Sequence, residues 1–571
     1  MKKKAVPVLA VAALILILIT VMFCSKIIQK YTPTNEMADK KSYYGLTKED
    51  EVAIVLNHTL AEVKGRIIDN RIYIDYQTLH DRINSRFYWD QKENKLLYTT
   101  ADAVILVEAG SSEYYESSKK KSGDMGEIVK VDEKTAYVNL SFIANYTNMN
   151  FKVLKNPNRV LIQTEFSEQK QAQVHKDTEV RYRGGIKSEI LTRVKKGSQL
   201  LLLREGKDWN QVMTKNGYIG YAKANVMEDS KKVKPEYKEK KEEFVHVFKE
   251  GKINMAWHQV TSTAANSGIT GVLSSTKGIN VISPTWFYLN DNKGDIVSLA
   301  SSDYVNYCHA NGVEVWGLVS NLEKKGVNST KVLTHTSIRE RLINKIVAAA
   351  IEYNLDGVNV DFEALSGDVG DAYIQFIREL SIKCHKNDLV VSVDNYVPSN
   401  YTAFYNRREQ AVFADYVIVM AYDEHYAGSE PGSVSSIGFV TDGVTNTMKE
   451  VPKEQIILGL PFYTRVWEET PVITDEGEQT SVDVSSQAVG MSTAATMASV
   501  NGVEPTWDEE TGQFYAEYQN GGKTYKIWME EEASLEEKLK VMKENSLAGV
   551  SFWKLGFERS SAWDTIIKYL N

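Results

Sequence analysis

From residue 244 to the C-terminus, apolar runs of five to eight residues recur at 252–257, 278–285, 313–320, 357–363, 389–395, 416–423, 455–462 and 549–553. Val, Ile and aromatic residues dominate them, the composition of buried strands. Stretches of helical periodicity separate most of them, as at 336–353 and 372–386. Eight strands alternating with helices over this length predict an α/β chain built on a TIM (β/α)8 barrel. The widest gap lies between the seventh and eighth strands. It contains β-rich runs at 513–518 and 524–528 around Asn520-Gly521-Gly522, then a helical stretch at 535–544, and predicts a small inserted α+β subdomain.

Upstream the pattern changes. Between about 45 and 167 the sequence repeats: Tyr73 and Tyr137, Phe87 and Phe151, Asn94 and Asn158, and Leu96 and Val160 are each 64 residues apart. Each copy reads as strand, short helix, strand, turn, strand, so this interval is expected to be one duplicated α+β domain. Residues 171–228 show short apolar strands at 179–183, 191–194, 199–205, 209–214 and 218–222, separated by glycine turns. They predict a small β-barrel, with Asn216-Gly217 supplying a hairpin turn. Residues 229–243 are almost all charged and are expected to be a solvated linker. At the N-terminus, Lys2, Lys3 and Lys4 precede an uncharged run from residue 5 to 24 that ends Val21-Met22-Phe23-Cys24, without an A-x-A cleavage site there. Residues 1–30 therefore predict a signal anchor that spans the membrane with the bulk of the chain outside, cleavage of a signal peptide being the alternative.

Composition narrows the classes. The 571 residues are 43% hydrophobic and 25% charged with a net charge of −8, which excludes a wholly disordered chain and gives no positive field for nucleic acid. Cys24, Cys308 and Cys384 form no CxxC and cannot build a disulfide framework; no His/Cys cluster has metal-ligand spacing, so no cofactor or metal is expected.

The chemistry concentrates in the fourth strand, Asp356-Gly-Val-Asn-Val-Asp-Phe-Glu363. Side chains alternate along a strand, so Val358, Val360 and Phe362 share one face and Asn359, Asp361 and Glu363 the other. The apolar face suits the surrounding helices, which aims the polar column into the barrel. Interior barrel positions are normally apolar, and buried polar groups are costly unless they serve a site.

This stretch resembles the DGxDxDxE signature of glycoside hydrolase family 18, the chitinase-like enzymes. Met420-Ala-Tyr422-Asp423, Leu460-Pro-Phe-Tyr463-Thr-Arg465 and Trp553 at the end of the eighth strand match other motifs of that family. Residues 422–426 and 549–556 further resemble its bacterial cell-wall and spore-cortex glucosaminidase branch. Residues 171–228 resemble the bacterial SH3-like domain, and 45–167 the copper amine oxidase N-terminal-like domain, from which no copper site is transferred. The resemblance implies substrate-assisted retaining hydrolysis next to N-acetylglucosamine, in peptidoglycan or a chitin-like glycan. Glu363 would be the acid, Asp361 would orient the acetamide, and Tyr422 would hydrogen-bond its oxygen. Asn359, Asp423, Trp553, Tyr463, Arg465 and Trp286 are the expected substrate-binding residues, with Trp316 and Trp467 as further stacking candidates. Asp356, on the opposite parity, is expected to be structural. The SH3-like domain would contact the cell wall.

Asn359 departs from the family, which has Asp there. Its amide is expected to donate to Asp361 and keep that carboxylate anionic without a shared proton. The alternative is a non-hydrolytic, lectin-like protein of the same fold. A catalytic chain starting near residue 240 is expected to keep its turnover on short soluble sugars.

Overall fold

The computed structural model describes residues 5–237, 239–473 and 479–570. Lys2, Lys3 and Lys4, and Lys238 of the charged segment, lie outside them. The chain divides into two compact units: residues 1–87, 107–114 and 120–241 form one, and 88–106, 115–119 and 242–571 the other.

The first unit begins with the helix Ala5–Tyr31, whose apolar side chains from Val8 onward are exposed. A seven-stranded sheet follows, in the order Asn150–Leu154, Arg159–Gln163, Glu51–Leu56, Thr59–Ile68, Arg71–Asp75, Thr135–Asn139, Val129–Asp132. The equivalent strands of the sequence repeat, Arg71–Asp75 and Thr135–Asn139, lie side by side and antiparallel. Each ends in the residue that caps its short helix: Asp75 accepts from the Thr78 amide and Asn139 from the Ser141 amide, both at 2.9 Å. The copies then diverge. The second copy's strands Asn150–Leu154 and Arg159–Gln163 return to this sheet. The first copy's Tyr88–Asp90 and Lys95–Thr99 belong to the other unit.

A second seven-stranded sheet is built from Gln169–Gln173, Thr178–Arg181, Ile190–Val194, Gln199–Arg204, Trp209–Met213, Ile219–Lys223 and Lys231–Val233. Its core is small: Val174, Val180, Leu200, Val212 and Ala222. Gly217 turns at φ +77°, a backbone conformation that favours glycine, and a Cβ there would also press on the Leu161 side chain. The charged segment opens as a strand, because Lys231–Val233 pairs antiparallel with Gln169–Gln173 while its side chains stay in solvent. Lysines on an edge strand discourage further pairing.

In the second unit, eight parallel strands close into a barrel: Ile253–His258, Val281–Pro284, Glu314–Ser320, Gly357–Asp361, Val390–Tyr396, Tyr416–Met420, Ile456–Pro461 and Gly549–Trp553. Closure is direct, since the first strand pairs with both the second and the eighth. Ile253, Met255, Trp316, Leu318, Ile418 and Ile457 cluster inside the barrel. The opposite parity, including Val358, Val360, Val391 and Val393, packs on the helices. Asn359, Asp361, Ser392 and Asp394 carry polar groups onto the interior parity of the fourth and fifth strands.

The insertion begins as the seventh strand ends. Tyr463–Ile473, Gln479–Gly490, Thr506–Asp508, Gln513–Asn520 and Lys523–Met529 form a five-stranded sheet, packed on the helix Met491–Val500. It is bound to the barrel through a fully buried ion pair, Lys538 Nζ to Glu530 at 2.5 Å, with Ser534 Oγ and Gln513 Nε2 also donating to Glu530.

Residues 88–106 are part of the barrel's own packing. Tyr88 and Leu97 join its outer core. Asp90, buried, accepts from both the amide and the hydroxyl of Thr336 at 2.7 Å. The helix Thr336–Glu352 has no side-chain cap from its own preceding residue, His335. Glu93 accepts from the next amide, Ser337, at 3.1 Å. On the adjoining helix Gly370–His385, Gln375 Nε2 donates to Thr99 Oγ1 at 2.9 Å.

Candidate active site

The fourth strand turns its parity into a site. Asn359 is fully buried and uses its entire hydrogen-bonding capacity inside the barrel. Its Oδ1 accepts from Trp257 Nε1 at 2.9 Å and Ser283 Oγ at 3.0 Å. Its Nδ2 donates to Ser392 Oγ at 3.1 Å and Asp394 Oδ1 at 2.8 Å. Two expectations for Asn359 are thereby corrected. It cannot touch a substrate, and its amide serves Asp394 on the neighbouring strand rather than Asp361.

Asp361 ends the strand, partly open toward the mouth, with Oδ1 buried and without a hydrogen-bond partner among the described residues. Burial, then repulsion from Asp394 and Glu363, raises its pKa well above the usual carboxylate range. Glu363, two residues on, is held by its backbone: its N–H donates to Asn321 Oδ1 at 2.9 Å, and Asn321 Nδ2 donates to its carbonyl at 3.0 Å. Burial raises the Glu363 pKa, opposed by a hydrogen bond from the Tyr396 hydroxyl. A carboxyl held protonated above its ordinary range is what a general acid requires.

The sixth and seventh strands add the opposite wall. Tyr422 packs edge-on against Trp257 and Tyr463, and burial raises its phenol well above the usual range. Asp423 sits at φ +55° and accepts from the Tyr463 hydroxyl at 2.5 Å; Arg465 Nη2 lies 4.0 Å from the same carboxylate oxygen. Trp553 is part-buried, 6.0 Å from Trp257 between ring centroids. Asp361 and Trp553 end barrel strands, Glu363, Tyr422 and Asp423 lie just past strand ends, and Tyr463 and Arg465 open the inserted sheet where the seventh strand ends.

Three tryptophans do not join them. Trp286 is fully buried, donates Nε1 to Asn266 Oδ1 at 2.8 Å and packs against Tyr304. Trp316 stacks on Tyr416 in the barrel interior, and Trp467 donates to the Gly432 carbonyl at 2.9 Å. None of the three offers a ring face to a sugar; each completes the core instead. Asp356 is structural, accepting from the Val315 amide at 2.7 Å and His309 Nε2 at 2.8 Å.

The fifth strand holds residues that the sequence reading missed. Ser392, Asp394 and Tyr396 share one parity, the same alternation that exposed the fourth strand's polar column. Among the described residues no group of three or more His, Cys, Asp and Glu side chains is placed to hold a metal ion.

A parallel barrel with an acid cluster at its C-terminal mouth is the arrangement in which TIM-barrel enzymes hold their catalytic groups. Residues 323–558 match the Glycosyl hydrolases family 18, and residues 55–162 match the Copper amine oxidase N-terminal domain. The chain is 25% identical over 306 residues to YvbX, an uncharacterized glycosylase of Bacillus subtilis, covering 51% of this chain and 84% of that protein. It is 27% identical over 256 residues to the cortical fragment-lytic enzyme of the same organism, covering 43% of this chain and 58% of that one. The spore cortex-lytic enzyme SleL of Bacillus cereus superposes with a TM-score of 0.50 at 18% identity, over 56% of this chain and 74% of that structure, and shows the shared fold.

Proposed function

We propose that this protein is a membrane-tethered, outward-facing glycosidase that cleaves β-1,4 bonds next to N-acetylglucosamine in peptidoglycan. The observation that carries the reading is the pair Asp361 and Glu363 at the barrel mouth, with burial raising Glu363 toward the protonated form an acid needs. Glu363 protonates the glycosidic oxygen and then takes a proton from the incoming water. The substrate's own acetamido oxygen attacks C1, so no protein nucleophile is used. Asp361 accepts from the acetamide N–H, and Tyr422 donates to its oxygen. Asp423, fixed by Tyr463, and Arg465 hold the sugar hydroxyls, and Trp553 receives its apolar face.

The tether is the helix Ala5–Tyr31. Its apolar segment Val8–Tyr31 has 24 residues, long enough at about 1.5 Å per residue to cross the roughly 30 Å hydrocarbon layer. Peptidoglycan rather than chitin is supported by the relative named for cortical fragments and by the β-rich domain over 171–228, read as a wall-binding module.

The test compares the full chain with Glu363→Gln on purified peptidoglycan and on chitooligosaccharides, with products identified by mass. The amide is nearly isosteric, so sugar binding should persist while turnover falls by roughly 10²–10⁴-fold or more. A variant that keeps most of its activity would remove Glu363 from the acid's role. Binding without turnover in the wild type would favour the lectin-like alternative.

A further inference from the structure

Resting on the reading that Asp361 and Glu363 are the reacting carboxyls, we infer that Asp394 is the partner carboxyl of Asp361. The two hold one proton between them, and Asn359 fixes Asp394 in place. The fifth strand thus supplies the second acid group that the fourth strand lacks.

Strand register places them together. Asn359 pairs with Ser392 and Val360 with Val393 on parallel neighbours, so the next step sets Asp361 beside Asp394 on the inward face. Asp394 is 2% exposed. One of its oxygens is committed to Asn359 Nδ2 at 2.8 Å. Asn359 has no hydrogen left for Asp361, whose Oδ1 is buried and has no partner among the described residues. The groups acting on the pair come from every side: Glu363 from the fourth strand's end, Glu323 from the loop after the third, Trp257 from the first, Tyr422 from the sixth, and Tyr373 from the helix Gly370–His385. They are acids or neutral donors; among the described residues no cation is named as acting on either carboxyl. Two adjacent carboxyls taken out of water without a cation do not both ionise, so the pair keeps a single negative charge.

That charge is mobile over one hydrogen bond. As positive charge builds on the acetamide during attack on C1, the proton leaves an Asp361 oxygen and binds an Asp394 oxygen. One O–H bond breaks, one forms, and the pair remains at −1. The negative charge concentrates on Asp361 when the transition state needs it. An interaction stronger in the transition state than in the ground state raises kcat rather than lowering KM. Asp394 touches no substrate in this scheme and is a positioning residue.

The experiment measures kcat and KM against pH for the full chain in detergent on the N-acetylglucosamine tetramer. It compares wild type, Asp394→Asn and the carboxyl swap Asn359→Asp/Asp394→Asn, with melting temperatures as the fold control. In Asp394→Asn, kcat should fall by up to about 10²-fold with KM little changed. The acidic limb should move to higher pH, because an amide N–H stabilises the Asp361 anion less than a carboxyl O–H does. The swap restores two carboxyls to the site and should bring both the limb and most of kcat back. An Asp394→Asn variant with the wild-type profile would overturn the inference, as would a kcat loss with unmoved limbs that the swap fails to recover. If Asp394→Asn does not fold, the swap alone decides: a wild-type-like acidic limb supports the pair, and a folded but inactive swap refutes it. Glu363→Gln, measured alongside, separates the two levels. If it stays active the parent reading fails; if it is dead while Asp394→Asn is unaltered, only the shared proton fails.

Discussion

At the scale of single residues, the site is governed by carboxyls whose protonation burial controls. Glu363 works as an acid only while protonated, so activity should fall as pH rises through its raised pKa and form the basic limb of the profile. Tyr396 donates a hydrogen bond that favours the charged form of Glu363 and so lowers that pKa. Tyr396→Phe removes the donor. Its basic limb should therefore move to higher pH, which a pH–rate series on a soluble chitooligosaccharide checks. A limb that moves down would mean that Tyr396 does not act on Glu363 as the geometry indicates.

At the scale of elements, two buried polar contacts hold the barrel's periphery. Asp90 caps the helix Thr336–Glu352 from a segment nearly 250 residues upstream in sequence. Asp90→Ala leaves the buried Thr336 amide without its acceptor and should lower unfolding stability by about 1–3 kcal/mol. Chemical denaturation monitored by tryptophan fluorescence measures it, and an unchanged midpoint would show that another group takes over the cap. The Lys538–Glu530 pair anchors the inserted subdomain with both side chains fully buried. Burial pushes the Glu530 carboxyl up and the Lys538 ammonium down, each opposed by the other's charge. Lys538→Met leaves the Glu530 carboxylate buried and unpaired, at a cost of about 3–5 kcal/mol. Its melting temperature should recover in part in Lys538→Met/Glu530→Leu, where no lone charge remains.

At the scale of the whole molecule, residues 88–106 decide where the catalytic unit begins. A chain starting near residue 240 lacks Tyr88 and Leu97 from the core, the Asp90 cap and the Thr99 acceptor. Such a chain should melt well below one starting near residue 31 and lose turnover even on short sugars, as its helices Thr336–Glu352 and Gly370–His385 expose apolar surface. Equal melting temperatures and equal turnover for the two chains would return the boundary to residue 240. This reverses the expectation drawn from the sequence, where the charged segment at 229–243 reads as the natural boundary.

Much of this protein follows from local periodicity. The eight barrel strands, their order and the inserted sheet are legible because side-chain alternation and helical spacing are properties of adjacent residues. The same alternation aims Asn359, Asp361 and Glu363 inward and sets Asp356 apart, before any partner is known. What a residue meets once it points inward is not local. Trp286, Trp316 and Trp467 stand near strand ends in sequence, yet closure of the barrel and packing of the insertion cover all of them. The repeat at 45–167 shows two equal copies, but the first gives its second strand pair to the barrel's unit because helices from far along the chain offer it a buried surface. Asn359 shows the same division. Its direction was set by strand parity, while its hydrogen bond to Asp394 depends on the register of two strands joined only through the helix Gly370–His385 and fixed by barrel closure.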